Sequence, residues 1–250
     1  MFVKLDRTEM LNIVRHQLAL DMNCNSQDFV EDGILFCEAQ LNEGRRMFER
    51  QTPYLEIATM GKGIVVSADK HVLPKIKSLI EDKSRDDVFC APFVYGHSLY
   101  YIPDSNLKEA PCPDQFTYCV KEGNEIHALY QVSGFNNAIQ YDKANPRPDV
   151  LVVYAMKGIK IVGMAGASID SQTMWQIGID VLPSFRQAGL ASYLVSKLAL
   201  MILERGIVPY YGTASSNIPS QAVAYRSGFT PTWMCTYENT LSGVSPYTPD

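Results

Sequence analysis

Residues 177–191 read IGIDVLPSFRQAGLA, and the rest of the chain is organised around them. The first part, with Ile177, Ile179 and Val181, has the β-branched apolar character of a buried strand. Pro183, which has no N–H for a ladder, and Ser184 end it. From Leu190 the spacing turns helical: Leu190, Leu194, Val195, Leu198, Met201 and Ile202 share one face. Gly206 stops the helix at a left-handed cap. Between strand and helix lie Arg186, Gln187, Ala188, Gly189, Leu190 and Ala191. Such a turn aims successive backbone N–H groups and the positive helix end at one point. That is an anion site, and a pyrophosphate is its natural occupant.

The 250 residues suffice for one large or two ordinary domains. Apolar residues make up 46% and charged residues 20%, so the chain reads as globular rather than disordered. No run of basic residues exceeds Arg45-Arg46, which excludes a nucleic-acid face. The net charge of −5 is compatible with attraction of a cationic amine. Cys24, Cys37, Cys90, Cys112, Cys119 and Cys235 form no Cys-x-x-Cys pair and have no histidine partner at zinc spacing. They read as reduced cysteines of a cytosolic protein, with no metal expected. The start, MFVKLDRTEM, lacks the apolar core of a signal peptide, and residues 198–203 fall far short of the ~20 apolar residues of a membrane span. The expectation is a soluble cytoplasmic protein without a membrane partner. A homodimer is left open.

In chain order, residues 8–20 read as a helix, 34–36 as a short strand and 38–50 as a polar helix. Residues 54–59 and 63–67 read as strands around a turn at Gly61 and Gly63, and 72–80 as an amphipathic helix with Pro74 in its first turn. Strands are expected at 88–92 and 99–102. Gly61-Lys62-Gly63 has no helix directly after it and no Lys-Ser/Thr ending, so it reads as a hairpin turn rather than a phosphate loop. Pro103, Pro111 and Pro113 mark residues 103–114 as a linker. The expected division is an N-terminal α/β domain over 1–110 and a second domain over 111–250. The first is compatible with a diverged half resembling the second. Within the second, 116–120 reads as a strand, 122–132 as a helix with 137–141 continuing it, and 150–155 with 159–165 as a hairpin through Lys157-Gly158. A strand at 207–213 and a last strand at 233–237 follow, with a loose tail from Ser242.

Arg186-x-x-Gly189-x-Ala191 after a Val-x-Pro turn resembles the acetyl-CoA loop of the GNAT superfamily of N-acetyltransferases. A second block, Asn217-x-x-Ser220-x-x-x-Ala224 ending in Gly228-Phe229, is similar to that family's Asn-bearing last helix. The resemblance spans roughly residues 116–233 and leaves the N-terminal hundred uncovered. It implies an α/β protein with a mixed α+β sheet: a GNAT-like acyl-CoA N-acyltransferase fold with an additional N-terminal α/β domain.

It further implies that acetyl-CoA is the cosubstrate, lying where two parallel strands part. Its arm would pair with Ile179, Asp180 and Val181 as an added strand, through backbone groups. Its pyrophosphate would sit on the N–H groups of Gln187, Ala188, Gly189, Leu190 and Ala191, with Arg186 adding charge. A Cβ at Gly189 would obstruct the phosphate. Asn217 reads as a helix N-cap, with Pro219 in the first turn; the resemblance adds contact with the CoA arm, and Ser220 lies one turn on.

Acetyl transfer to a primary amine of a small molecule or peptide needs a neutral amine, a donor to the carbonyl oxygen and a proton for the departing thiolate. The N–H of Ile179 or Val181 suits the oxygen. The family supplies the proton from a helix tyrosine four residues before Gly228, where this chain has Ala224. Tyr225 is the neighbouring candidate, about 100° round the helix. Ser220, Tyr210, Tyr211 or water are the alternatives. Where histone-type members place a glutamate, eleven residues before Arg186, this chain has Trp175. Asp180, Glu125 and Glu238 are the remaining acidic candidates for a base. The competing reading is a non-catalytic acyl-CoA-binding sensor or interaction module. A transferase using another acyl donor is a third.

Overall fold

The computed structural model describes residues 5–47 and 54–241. These gather in two compact units that are not contiguous in sequence. Among the described residues, one comprises 11–47, 54–100, 213–217 and 232–241; the other comprises 5–10, 101–212 and 218–231.

Helix α1 (Arg7–Met22) buries Met10, Val14, Leu18 and Met22. In the first unit β1 (Ile34–Glu38) pairs in parallel with β3 (Ile64–Ala68), and β3 pairs antiparallel with β2 (Leu55–Thr59). The turn between β2 and β3 carries Gly61 at φ +111°, which only glycine adopts readily. Helix α2 (Leu73–Ile80) holds Pro74 in its first turn and buries Ile76 and Ile80. These side chains join Leu55, Ile57, Ile64, Val66, Val88 and Phe89 in one core.

Two expectations fail in this unit. The polar helix over 38–50 does not form: Glu38 ends β1, and 39–47 are turns and irregular chain, with Gly44 left-handed at φ +80°. Residues 48–50 lie outside the described residues. Long-range partners hold the described part instead. The Asp21 carboxylate accepts from the Arg46 Nε at 2.6 Å and its N–H at 2.7 Å, and the Asn42 amide donates to the Leu20 carbonyl. The strand at 88–92 is replaced by helix α3 (Arg85–Phe89), nucleated by Ser84 and Asp87 in a capping box. Strand β4 (Val94–Pro103) follows.

In the second unit β5 (Thr117–Glu122), β6 (Asp149–Lys157), β7 (Lys160–Ile169) and β8 (Met174–Val181) form an antiparallel meander. Gly158 turns the β6–β7 hairpin at φ +60°. The helix expected at 122–132 is a 3-10 helix, Gly123–Gln131, and 137–141 is turn rather than its continuation. After β8 come α4 (Leu190–Leu203), β9 (Val208–Ala214) and α5 (Ile218–Arg226). The last strand, β10 (Phe229–Asn239), pairs through Met234 and Cys235 with Thr59 and Ala58 of β2. The tail from Ser242 lies outside the described residues.

Two glycines show how the second unit is layered. A Cβ on Gly163 would lie 2.9 Å from Leu190 and 3.2 Å from Leu194, both on α4. A Cβ on Gly166 would lie 1.9 Å from the Ala138 carbonyl oxygen. An odd separation along a strand puts the two on opposite faces. So α4 covers one face, and the chain around Ala138 with the 3-10 helix covers the other. On that second face Ile126, Leu129, Phe135 and Ile139 pack with Val152, Tyr154 and Met164.

Candidate active site

The site grows from the end of β8. Along its whole length β8 pairs with β7, from Ile169↔Trp175 to Gly163↔Val181. On its other edge it pairs in parallel with β9 only from Met174↔Val208 to Ile177↔Tyr211. Beyond that rung the two strands part, leaving one backbone edge of residues 178–181 without a ladder partner among the described residues. An unpaired edge inside a fold is a slot for an extended ligand that carries amides.

The chain then turns sharply. The Leu182 N–H reaches back to the Val162 carbonyl at 2.9 Å, and Pro183–Phe185 make one 3-10 turn. Arg186 is exposed, and its Nε donates to the Val181 carbonyl at 3.0 Å, bracing the loop against the strand end. Gln187 at φ +63° and Gly189 at φ +75° are both left-handed, which turns successive N–H groups toward one side. Among the described residues, no acceptor meets the N–H groups of Gln187, Ala188, Gly189, Leu190 or Ala191. A Cβ on Gly189 would meet only Pro113, at 3.9 Å, so the backbone conformation rather than crowding within the protein calls for glycine. Helix α4 is held by buried Leu190, Leu194, Val195, Leu198 and Ile202. The five N–H groups thus stand unpaired at the start of a helix, the arrangement an anion site requires.

Asp180 belongs to the opposite face of β8, and its carboxylate is engaged. It accepts from the Asn137 N–H at 2.7 Å, the Asn137 amide at 2.7 Å and the Ala138 N–H at 3.1 Å. It fixes the loop over the sheet, and these bonds oppose a role as proton acceptor. The Leu182 N–H bond to Val162 fixes the alternation of the strand, so the Asp180 backbone groups face β7 and those of Ile179 and Val181 face the open edge. The acidic alternatives lie elsewhere. Glu125 is exposed and paired with Lys121 at 2.9 Å. The Glu238 side chain falls outside the described residues. Trp175 is half-buried and brings no carboxylate.

The adjacent tyrosines of β9 point to opposite faces and meet different partners. Tyr210 is fully buried; its hydroxyl bonds to Asp170, which also pairs with Arg147 at 2.8 Å. That network occupies it. The Tyr211 hydroxyl instead lies 2.7 Å from the Ser220 Oγ of α5. Burial raises the Tyr211 phenol above its ordinary value, the hydrogen bond with Ser220 opposes the shift, and the charge of Asp180 adds to it. Tyr225 is 54% exposed, its ring edge-on to Tyr101 with centroids 5.6 Å apart. Burial, with the nearby Tyr225 and Tyr211 phenols, pushes the Tyr101 hydroxyl up to about 12. Ala224 is fully buried. Asn217 directly precedes α5 and belongs to the first compact unit, whereas Ser220, Ala224, Gly228 and Phe229 of the second motif belong to the cradle's unit.

The sequence reading missed Asn137, Ala138, Gly166 and Gly178. A signal was present: glycine inside an apolar strand marks a close backbone approach. Among the described residues, no group of three or more His, Cys, Asp or Glu side chains is placed to hold a metal ion. No helix among them is long and apolar enough to cross a membrane.

The meander thus opens into a parted parallel pair, with unpaired backbone N–H groups at the start of the next helix. Residues 120–229 match the model of the acetyltransferase (GNAT) family. A GNAT acetyltransferase from Novosphingobium aromaticivorans is 17% identical, with a TM-score of 0.43, over 58% of this chain and 66% of that one. The chain therefore spans just under two thirds of that protein. A GCN5-related N-acetyltransferase-like protein from Streptococcus suis is 15% identical, with a TM-score of 0.44, over 71% of this chain and 72% of that one. The aminoglycoside N-acetyltransferase AAC(6')-Iy, solved with CoA, is 23% identical, with a TM-score of 0.38, over 49% of this chain and 93% of that one. No curated protein matches the chain.

Proposed function

We propose that this protein transfers the acetyl group of acetyl-CoA directly to a primary amine. The observation that carries the reading is the parting of β8 and β9 after Ile177 and Tyr211, beside the cradle of Gln187 to Ala191. The open edge presented by Ile179 and Val181, on either side of Asp180, suits the amides of the pantetheine arm, and the cradle suits the pyrophosphate, with Arg186 adding charge. Acetyl-CoA supplies an activated acyl group; the chain supplies position. Holding amine and thioester together accounts for much of such a rate. The Ile179 or Val181 N–H would stabilise negative charge on the carbonyl oxygen. Under this reading the acceptor is a small-molecule or peptide amine in the cytoplasm, with no nucleic acid or membrane involved.

A second reading, a non-catalytic acyl-CoA sensor, draws support from Ala224 and from the engaged carboxylate of Asp180. Thermal unfolding with acetyl-CoA, free CoA and ATP tests the donor. At ~100 times its dissociation constant a ligand adds about 2.7 kcal/mol. The midpoint then rises by roughly 2–4 °C per kcal/mol for a domain of this size. Shifts with both CoA forms and none with ATP are expected. No shift with either CoA form removes the reading. Acetylation across an amine panel then separates transferase from sensor.

A further inference from the structure

Breaking a thioester leaves an electron pair on sulfur, and a buried thiolate needs a proton. Hydroxyl chemistry near the parting of β8 and β9 is confined to few groups. Tyr210 is tied to Asp170, on the face away from α4. Tyr225 stands half in solvent. Tyr211 is different: it forms the last rung of the β8–β9 ladder, opposite Ile177, so its side chain flanks the point where the slot opens. It is 3% exposed, and its hydroxyl is 2.7 Å from the Ser220 Oγ. Ser220 is half-buried, and it sits one turn before Ala224 on the same helix side. With a methyl at 224, Ser220 carries a hydroxyl on that side of α5, and Tyr211 of the strand adds a second from below. Burial keeps the Tyr211 phenol protonated at neutral pH, as a proton donor must be.

We propose that the Tyr211–Ser220 hydroxyl pair delivers the proton to the departing CoA sulfur, with Ser220 as the group that meets it and Tyr211 as the source behind. The amine lone pair forms the C–N bond. The C–S bond then breaks and its electron pair goes to sulfur. The Ser220 proton moves to sulfur as the Tyr211 proton moves to the Ser220 Oγ. The proton shed by the new amide nitrogen passes to solvent, and solvent restores the phenol. This rests on the acetyl-CoA reading above.

The test separates the two ideas. Calorimetric titration with acetyl-CoA reads binding, and release of CoA thiol with hydroxylamine as the probe amine reads turnover. Tyr211→Phe and Ser220→Ala are each expected to bind acetyl-CoA as the parent does and to release CoA at least ~100-fold more slowly. If Tyr211→Phe does not fold, Ser220→Ala, a smaller change at a half-buried position, carries the test. A parent that fails to bind acetyl-CoA removes the donor reading, and this inference with it. A parent that binds but releases no CoA overturns the proton role alone, as do variants as fast as the parent. So does a larger loss in Tyr225→Phe than in Tyr211→Phe.

Discussion

Gly166 and Gly178 are direct partners across β7 and β8, and together they form a bare patch that the Asn137–Ala138 backbone crosses. A Cβ on Gly178 would lie 1.7 Å from the Asn137 carbonyl oxygen, and one on Gly166 1.9 Å from that of Ala138. Backbone oxygens cannot swing aside as a side-chain tip can. The close approach lets Asp180, two residues past Gly178, collect both loop N–H groups.

Gly178→Ala and Gly166→Ala are therefore expected to lift this loop and to destabilise by about 1–3 kcal/mol, the usual cost of overpacking. Chemical denaturation gives the energy, and faster amide exchange at Asn137 and Ala138 locates it. Unchanged exchange would show that the loop does not depend on the bare patch.

Arg186 and Gly189 test the cradle. Gly189→Glu places a carboxylate at the positive end of α4 and forces a side chain into a left-handed backbone at φ +75°. That conformation costs roughly 1–2 kcal/mol for a residue with a Cβ. Arg186→Ala removes the charge and the brace to Val181. Both variants should fold and bind acetyl-CoA at least ~10-fold more weakly. Titration isotherms matching the parent for both would show that the pyrophosphate sits elsewhere.

Asp149 predicts a pH dependence. Burial raises its carboxyl above the ordinary range, against the opposing bonds from the Gln140 N–H at 2.8 Å and the Tyr130 hydroxyl at 2.7 Å. A carboxyl whose folded value lies above its unfolded value, about 3.9, adds stability below that unfolded value. The contribution is lost as pH rises through the folded value. The stability of the parent relative to Asp149→Asn should thus be greatest in acid and shrink toward neutrality. Urea midpoints of both proteins across that range measure it, and a gap that widens with pH would contradict the sign.

The cysteines divide by reactivity. Burial pushes the Cys24 thiol up to about 12 and the Cys37 thiol to about 11, leaving almost no thiolate at neutral pH. Cys90 and Cys112 are exposed. Brief treatment with iodoacetamide, read by peptide mass spectrometry, should label Cys90 and Cys112 well before Cys24 and Cys37.

Local chemistry was legible in the sequence. The apolar period from Leu190 to Ile202, the stop at Pro183, the glycine turns at 61 and 158 and the sharp turn at Gly189 all follow from residues within a few positions of each other. Backbone sterics and hydrogen bonding at that range do not depend on the remainder of the chain. One local signal, Ser84 with Asp87, was equally readable and marks α3 where a strand was expected.

Other outcomes needed partners brought from afar. Residues 39–47 are polar enough for a helix, yet Asp21 claims Arg46 across 25 positions, and that buried pair outweighs a weak helical preference. Asp180 has the composition of a base, but the loop 43 positions away takes its carboxylate. Tyr210 and Tyr211 are indistinguishable as letters. Strand alternation sends one to Asp170 and the other to Ser220, and only the sheet's register decides which. The sequence determined which backbone turns this protein makes. The tertiary structure decided which polar groups are already occupied, because a hydrogen bond between distant segments is created only when the sheet and its helices close around it.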